Sequence, residues 1–92
     1  MVTKLTKLEI QSALRKRTGW KVVKSKLHRE FKFADFVHAF GFMASAALLA
    51  EAMGHHPEWS NVYNRVTIDL TTHDAGGISA KDFELAAKID AL

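Results

Sequence analysis

The chain has 92 residues, 48% of them apolar and 25% charged, with no cysteine and a formal charge of +3. This is the composition of one small globular domain spanning residues 1–92, and the missing cysteines exclude disulfides, thiolate metal sites and a cysteine nucleophile. The charge is uneven, +8 over residues 1–33 (ten Lys or Arg, two Glu) and −5 over residues 34–92 (three against eight), but the lysines alternate with apolar positions instead of clustering beside aromatics, which argues against a nucleic-acid face.

The first four residues lack an apolar h-region, so no signal peptide is expected and the cytoplasm is the natural compartment. Thr6-Lys7-Leu8-Glu9 fits a capping box opening a first helix, with Leu5 stapled against Ile10, Ile10 and Leu14 on its apolar face and Gly19 suited to the C′ position. Two strands follow, Trp20 to Lys24 and Leu27 to Phe33, joined by a turn at Ser25-Lys26. In the second strand Leu27, Phe31 and Phe33 alternate with His28, Glu30 and Lys32.

A second helix is expected from about Asp35 to Met53, closed by Gly54. Its run is apolar enough to raise a membrane span, but it is short, alanine-rich and broken by His38, Ser45 and Glu51, so a buried helix covered on more than one side is the better reading. Trp59 to Tyr63 and Val66 to Thr72 read as a hairpin, with Asn64 taking the positive φ of a two-residue loop. That loop puts Trp59, Asn61 and Tyr63 on the same side as Val66, Ile68 and Leu70. Ser79-Ala80-Lys81-Asp82 is a second capping box, and Phe83 with Ala87 and Leu85 with Ile89 give the last helix its apolar positions. The order α-β-β-α-β-β-α implies an α+β fold, a four-stranded antiparallel sheet with helices packed on one face.

Chemistry concentrates at Glu51-Ala52-Met53-Gly54-His55-His56-Pro57-Glu58-Trp59. Two adjacent histidines stand in irregular chain between a helix end and a proline, and the hairpin can return His73 to the same corner. Imidazoles titrate near neutral pH and serve as acid or base. A zinc site with Glu51 nearby is the rival, but consecutive side chains point apart and the spacing of two histidines four apart on a helix is missing. Acid–base use is the better reading. His28 and His38 stand isolated and read as structural or surface residues.

Glu51-x3-His55-His56-Pro57, then Tyr63, His73 and Asp82, resembles the signature of the pterin-4a-carbinolamine dehydratases. Gly19-Trp20, Phe31 to Phe36, Ala39 to Met43 and His55 to Asn64 extend the resemblance over essentially the whole chain. It implies dehydration of 4a-hydroxytetrahydrobiopterin to the quinonoid dihydropterin, without metal or prosthetic group, in support of an aromatic amino acid hydroxylase. His55, His56 and His73 fall on the family's active-site histidines, Glu51 and Thr72 on positions lining the pterin pocket, and Trp20 and Pro57 on its walls. His73 and His55 are the expected proton-transfer groups, with His56 mainly binding substrate. The family also implies a homodimer or homotetramer, and its mammalian member is a dimerization cofactor of a homeodomain transcription factor, which leaves a non-enzymatic interaction module as the alternative. Gly54 stands where mammalian members are acidic, Ala75 where they have cysteine, and the first hairpin is shorter; these departures touch substrate contacts, not the histidines.

Overall fold

A computed structural model describes residues 2–92. The elements run α1 (Lys7–Leu14), β1 (Lys21–Val23), β2 (Lys26–Lys32), α2 (Phe36–Met53), β3 (Glu58–Val62), β4 (Arg65–Leu70), one 3-10 turn (His73–Ala75) and α3 (Ala80–Asp90). The four strands form one antiparallel sheet in the order β1-β2-β4-β3. Period-two alternation puts Leu27, Val66, Ile68 and Leu70 on the inner face, all fully buried. Ala39, Ala46 and Ala50 of α2, Leu85, Ala86 and Ile89 of α3, and Ile10 and Leu14 of α1 pack against that face. The helices therefore cover one side of the sheet, as the element order implied.

Both capping boxes form. Thr6 N–H donates to Glu9 Oε1 at 2.8 Å while Glu9 N–H donates to Thr6 Oγ1 at 3.2 Å. Asp35 caps α2 by accepting from His38 N–H at 2.9 Å, and its carboxyl is held below the ordinary value first by that N–H and then by the His38 ring. Phe42 fixes α2 to β2, its ring centroid 4.8 Å from that of Phe31 and 4.9 Å from that of Phe33.

Several local expectations change. Helix α1 ends at Leu14, so Gly19 is not its C′ residue. Gly19 instead takes φ +95°, a left-handed conformation that favours glycine, beside the Arg29 guanidinium. The first turn is Lys24-Ser25, with φ +51° and +65°, the paired left-handed geometry of a tight hairpin, reached without glycine. In the second hairpin Tyr63, not Asn64, has positive φ (+51°). Asn64 is held differently. Its side chain donates to Phe33 O at 3.0 Å and its carbonyl accepts from Phe33 N–H at 2.8 Å, continuing the β2–β4 ladder one step past Lys32 and Arg65.

Helix α2 is not covered on more than one side within a single chain. Its alanine stripe is buried, but Val37 and Leu48 are 76% and 74% exposed and Phe40 is more than half exposed. By length and composition it is apolar enough to cross a membrane. Its small-residue face rests against β4 and α3.

The far end of α3 is tied down by Asp90. Its carboxylate accepts from Trp20 Nε1 at 2.9 Å, Arg29 Nη1 at 2.9 Å and Arg17 Nη1 at 3.2 Å. These donors come from the α1–β1 connection and from β2. Trp20 is 5% exposed, so removing its acceptor strands a buried N–H. Asp90→Ala should therefore lower stability by about 1–3 kcal/mol, with Asp90→Asn losing less because an amide oxygen still accepts from the indole. Urea titration followed by Trp20 fluorescence checks this; equal midpoints for wild type and Asp90→Ala would show that the cluster holds nothing together.

Candidate functional site

The corner at the end of α2 is shaped by a Schellman ending. Gly54 adopts φ +63°, and the N–H of His55 reaches back to Ala50 O at 3.1 Å. Pro57 then stiffens the entry to β3 and keeps His56 out of helical geometry. The two consecutive imidazoles diverge, as neighbouring side chains do. His56 turns outward, its Nε2 2.7 Å from Glu51 Oε1, with both side chains mostly exposed. His55 turns inward, its side chain 11% exposed, and its Nε2 lies 2.6 Å from Oδ1 of Asp82.

Asp82 is fully buried. Its other oxygen accepts from Ser79 N–H at 2.9 Å and from Thr72 Oγ1 at 2.8 Å, and the Thr72 hydroxyl is 2.7 Å from Ser79 Oγ. Thr72 is in turn fixed by a paired bridge to Gly77, Thr72 N–H to Gly77 O at 3.0 Å and Gly77 N–H to Thr72 O at 3.3 Å. The loop closed by that bridge carries His73. Its side chain is 86% exposed, and Nε2 is 3.8 Å from Glu58 Oε2. Glu58 also binds Lys26, and that hydrogen bond raises the lysine above its ordinary value.

His55, His56, Thr72 and His73 thus line one cleft of about 380 Å³, together with Val2 and Lys81. Pieces from the α2 end, the β4 end and the start of α3 meet there. Glu51 reaches the cleft through His56, and Pro57 braces the corner without lining it. Trp20 is elsewhere. Its indole is buried beside Phe31 and bonded to Asp90, two turns beyond Asp82 on α3, roughly 12 Å away along the helix axis. It is not among the residues lining this cleft, because its N–H and its apolar body are both used by the core.

Asp82 belongs to the signature read from the sequence, but its contact with His55 was not legible there. Its place in the second capping box marks it as a helix-start carboxylate, and nothing in the local pattern says that its second oxygen meets an imidazole 27 positions away. A carboxylate without solvent accepts hydrogen bonds, so the His55 proton sits on Nε2. Among the described residues His55 Nδ1 has no partner, and it is not buried, so it is the nitrogen that faces a ligand. Among the described residues no three His, Asp or Glu side chains converge as metal ligands do.

A family model described as pterin 4 alpha carbinolamine dehydratase matches residues 3–92. A protein from Solibacter usitatus, whose name places it among the pterin-4-alpha-carbinolamine dehydratases, is 77% identical over 92 residues, covering 100% of this chain and 97% of its own. One from Prochlorococcus marinus (strain MIT 9303) with the same name is 53% identical over 90 residues, 98% of this chain and 94% of its own. The crystal structure of a transcriptional coactivator/pterin dehydratase from Brucella melitensis superposes with a TM-score of 0.94 at 48% identity, covering 97% of each chain.

The buried carboxylate makes a spectroscopic prediction. In 15N NMR at a pH where the ring is neutral, His55 should be the Nε2–H tautomer. Asp82→Asn should weaken or reverse that preference, since an amide can present N–H to the ring. A wild-type His55 protonated on Nδ1 would contradict the Asp82 contact.

Proposed function

The chain belongs to the pterin 4 alpha carbinolamine dehydratase family, and from that membership we propose that it dehydrates 4a-hydroxytetrahydrobiopterin to the quinonoid dihydropterin by histidine acid–base catalysis. The observation that carries this reading is the Asp82–His55 pair opening on a cleft shared with His56 and His73. In the reaction a base takes the N5 proton, the freed electron pair forms the C4a=N5 bond, the C4a–O bond breaks, and an acid protonates the leaving hydroxide to give water. One proton enters the side chains and one leaves, so the site returns to its starting charge after an internal exchange.

His55 suits the step that needs a fixed direction. Asp82 holds its ring and stabilises the imidazolium that forms when Nδ1 accepts a proton, much as an orienting carboxylate does in other His–Asp pairs. His73 is the solvent-facing partner, open to exchange protons with water. His56, paired with Glu51, binds the polar edge of the substrate and sets the field. Thr72 lines the same cleft while bracing Asp82. The reaction needs no metal or prosthetic group. It fits a cytoplasmic enzyme that returns tetrahydrobiopterin to use after an aromatic amino acid hydroxylase.

A second reading has one specific observation behind it, the exposed apolar stripe of Val37, Phe40 and Leu48 on α2. A patch of that kind marks an interaction surface. We assign it to self-association, as a homodimer or homotetramer, with a transcriptional or adaptor role as the alternative. Light scattering at micromolar concentration should report a multiple of 10.3 kDa. A monomer would leave the stripe free for a different protein and favour the adaptor role.

The catalytic proposal is tested with freshly generated 4a-hydroxytetrahydropterin, after subtracting the spontaneous reaction. His55→Ala and His73→Ala should each fold and each lose about 10²–10⁴ in rate, the usual worth of one acid–base group. The double variant should lose less than the product, because the two groups serve one transition state. His38→Ala, whose ring is exposed near the opposite end of α2, should keep its rate. Wild-type turnover in both single variants would remove the assigned roles.

A further inference from the structure

The segment ahead of α1 does more than start the chain. It runs antiparallel to residues 77–79. Lys4 bridges Ser79, and Leu5 N–H donates to Ile78 O at 2.9 Å. The Lys4 stem lies over Gly77, where an added Cβ would come within 3.0 Å of Lys4 Cε. Residues 77–79 are the stretch that bonds Thr72 and Asp82, so the segment is strapped onto the same frame that holds His55. Its direction carries Val2 to the cleft, where Val2 is half-buried.

The other lining side chains are imidazoles, hydroxyls, a carboxylate and an ammonium, with Gly54 offering none. Among the described residues that line the cleft, Val2 is the one with a purely hydrocarbon side chain. A reduced pterin has polar edges and two broad, weakly polar faces. The edges find partners in this cleft, whereas a face needs an apolar surface to displace water. We propose that Val2, delivered by the strap of residues 2–5, is the wall against which one face of the bound pterin ring packs, and so is a specificity-determining residue of the site. The inference rests on the dehydratase reading for its ligand class. It adds a binding residue that lies outside the histidine motif and far from it in sequence.

The strap also explains a feature that the histidines alone leave unexplained. His73 and His56 are largely exposed, and an open cleft would let water compete at both. An aliphatic wall on one side restricts solvent to the other. Val2 contributes to binding more than to proton transfer, since it has no proton to give. Its removal should therefore raise KM and leave kcat within a few fold.

Methyl NMR tests this without turnover. The ligand is a dihydropterin that lacks the 4a hydroxyl and cannot react. On titration the two Val2 methyl signals should shift under the ring current of the pterin, saturating with the same Kd as the signals of His55. Val2→Thr keeps the shape, removes the apolar surface, and should weaken binding about three- to tenfold. Val2→Ile should restore it, and Leu8→Ala, at an exposed position on α1, should bind as wild type. Thermal midpoints of the Val2 variants should agree with wild type, which separates a ligand contact from a structural one. If the histidine signals saturate while the Val2 methyls stay still, or if Val2→Thr binds as tightly as wild type, Val2 is not the wall. If no signal moves at millimolar dihydropterin, the dehydratase reading fails, and this inference with it.

Discussion

A carboxylate with no access to water must find its hydrogen-bond donors inside the chain, and Asp82 finds them in three separate segments. Ser79 gives a backbone N–H, Thr72 a hydroxyl and His55 a ring N–H. Each donor is needed, because a buried charge short of partners costs several kcal/mol. The start of α3, the end of β4 and the end of α2 are thereby brought to one point and held in register. The cleft follows from this constraint. His55 faces it because Asp82 holds the ring from behind, Thr72 lines it because its hydroxyl is committed to Asp82, and His73 overhangs it because the loop after Thr72 is tied back through Gly77.

The opposite end of α3 solves a different problem with the same residue type. An acidic group near a helix C-terminus is disfavoured by the macrodipole. Asp90 is kept there by two guanidinium groups and an indole N–H. Arg29 also lies over the ring of Phe31, 4.6 Å from its centroid. The basic first third of the chain thus has a structural use. Two of its arginines neutralise a carboxylate of the acidic remainder and close the connection between α1 and β1 over the core. The two aspartates of α3 divide fold and site between them.

Much of this was legible in the sequence because it depends on neighbours. Thr6 with Glu9, Ser79 with Asp82, Asp35 and Gly54 announce helix ends through contacts three or four residues long, and Leu27, Val66, Ile68 and Leu70 announce the inner face through alternation. The histidine corner and its return partner were legible too, since a hairpin of known length brings His73 back to His55 and His56. What stayed hidden depends on distant partners. Lys24-Ser25 turns in left-handed geometry without glycine, and Asn64 is drawn into pairing with Phe33, so the positive φ passes to Tyr63. Trp20 reads as a pocket wall by resemblance, yet Asp90 takes its N–H into the core. The tie from Asp82 to His55 spans 27 positions and leaves no periodic trace.

The three imidazoles of the cleft share a wall but not an environment. His55 is nearly buried and fixed by a carboxylate, His56 is exposed and paired with a carboxylate that is itself exposed, and His73 stands 86% open with its nearest acidic oxygen 3.8 Å away. They differ in burial and in carboxylate contact, so the fold offers three distinct positions around one cleft. The fold generates that inequality from geometry alone. A left-handed Gly54 splits two consecutive histidines between the interior and the surface, and a strand end supplies the third from the solvent side. The different settings of the three imidazoles are thus a consequence of where α2 stops and where β4 ends.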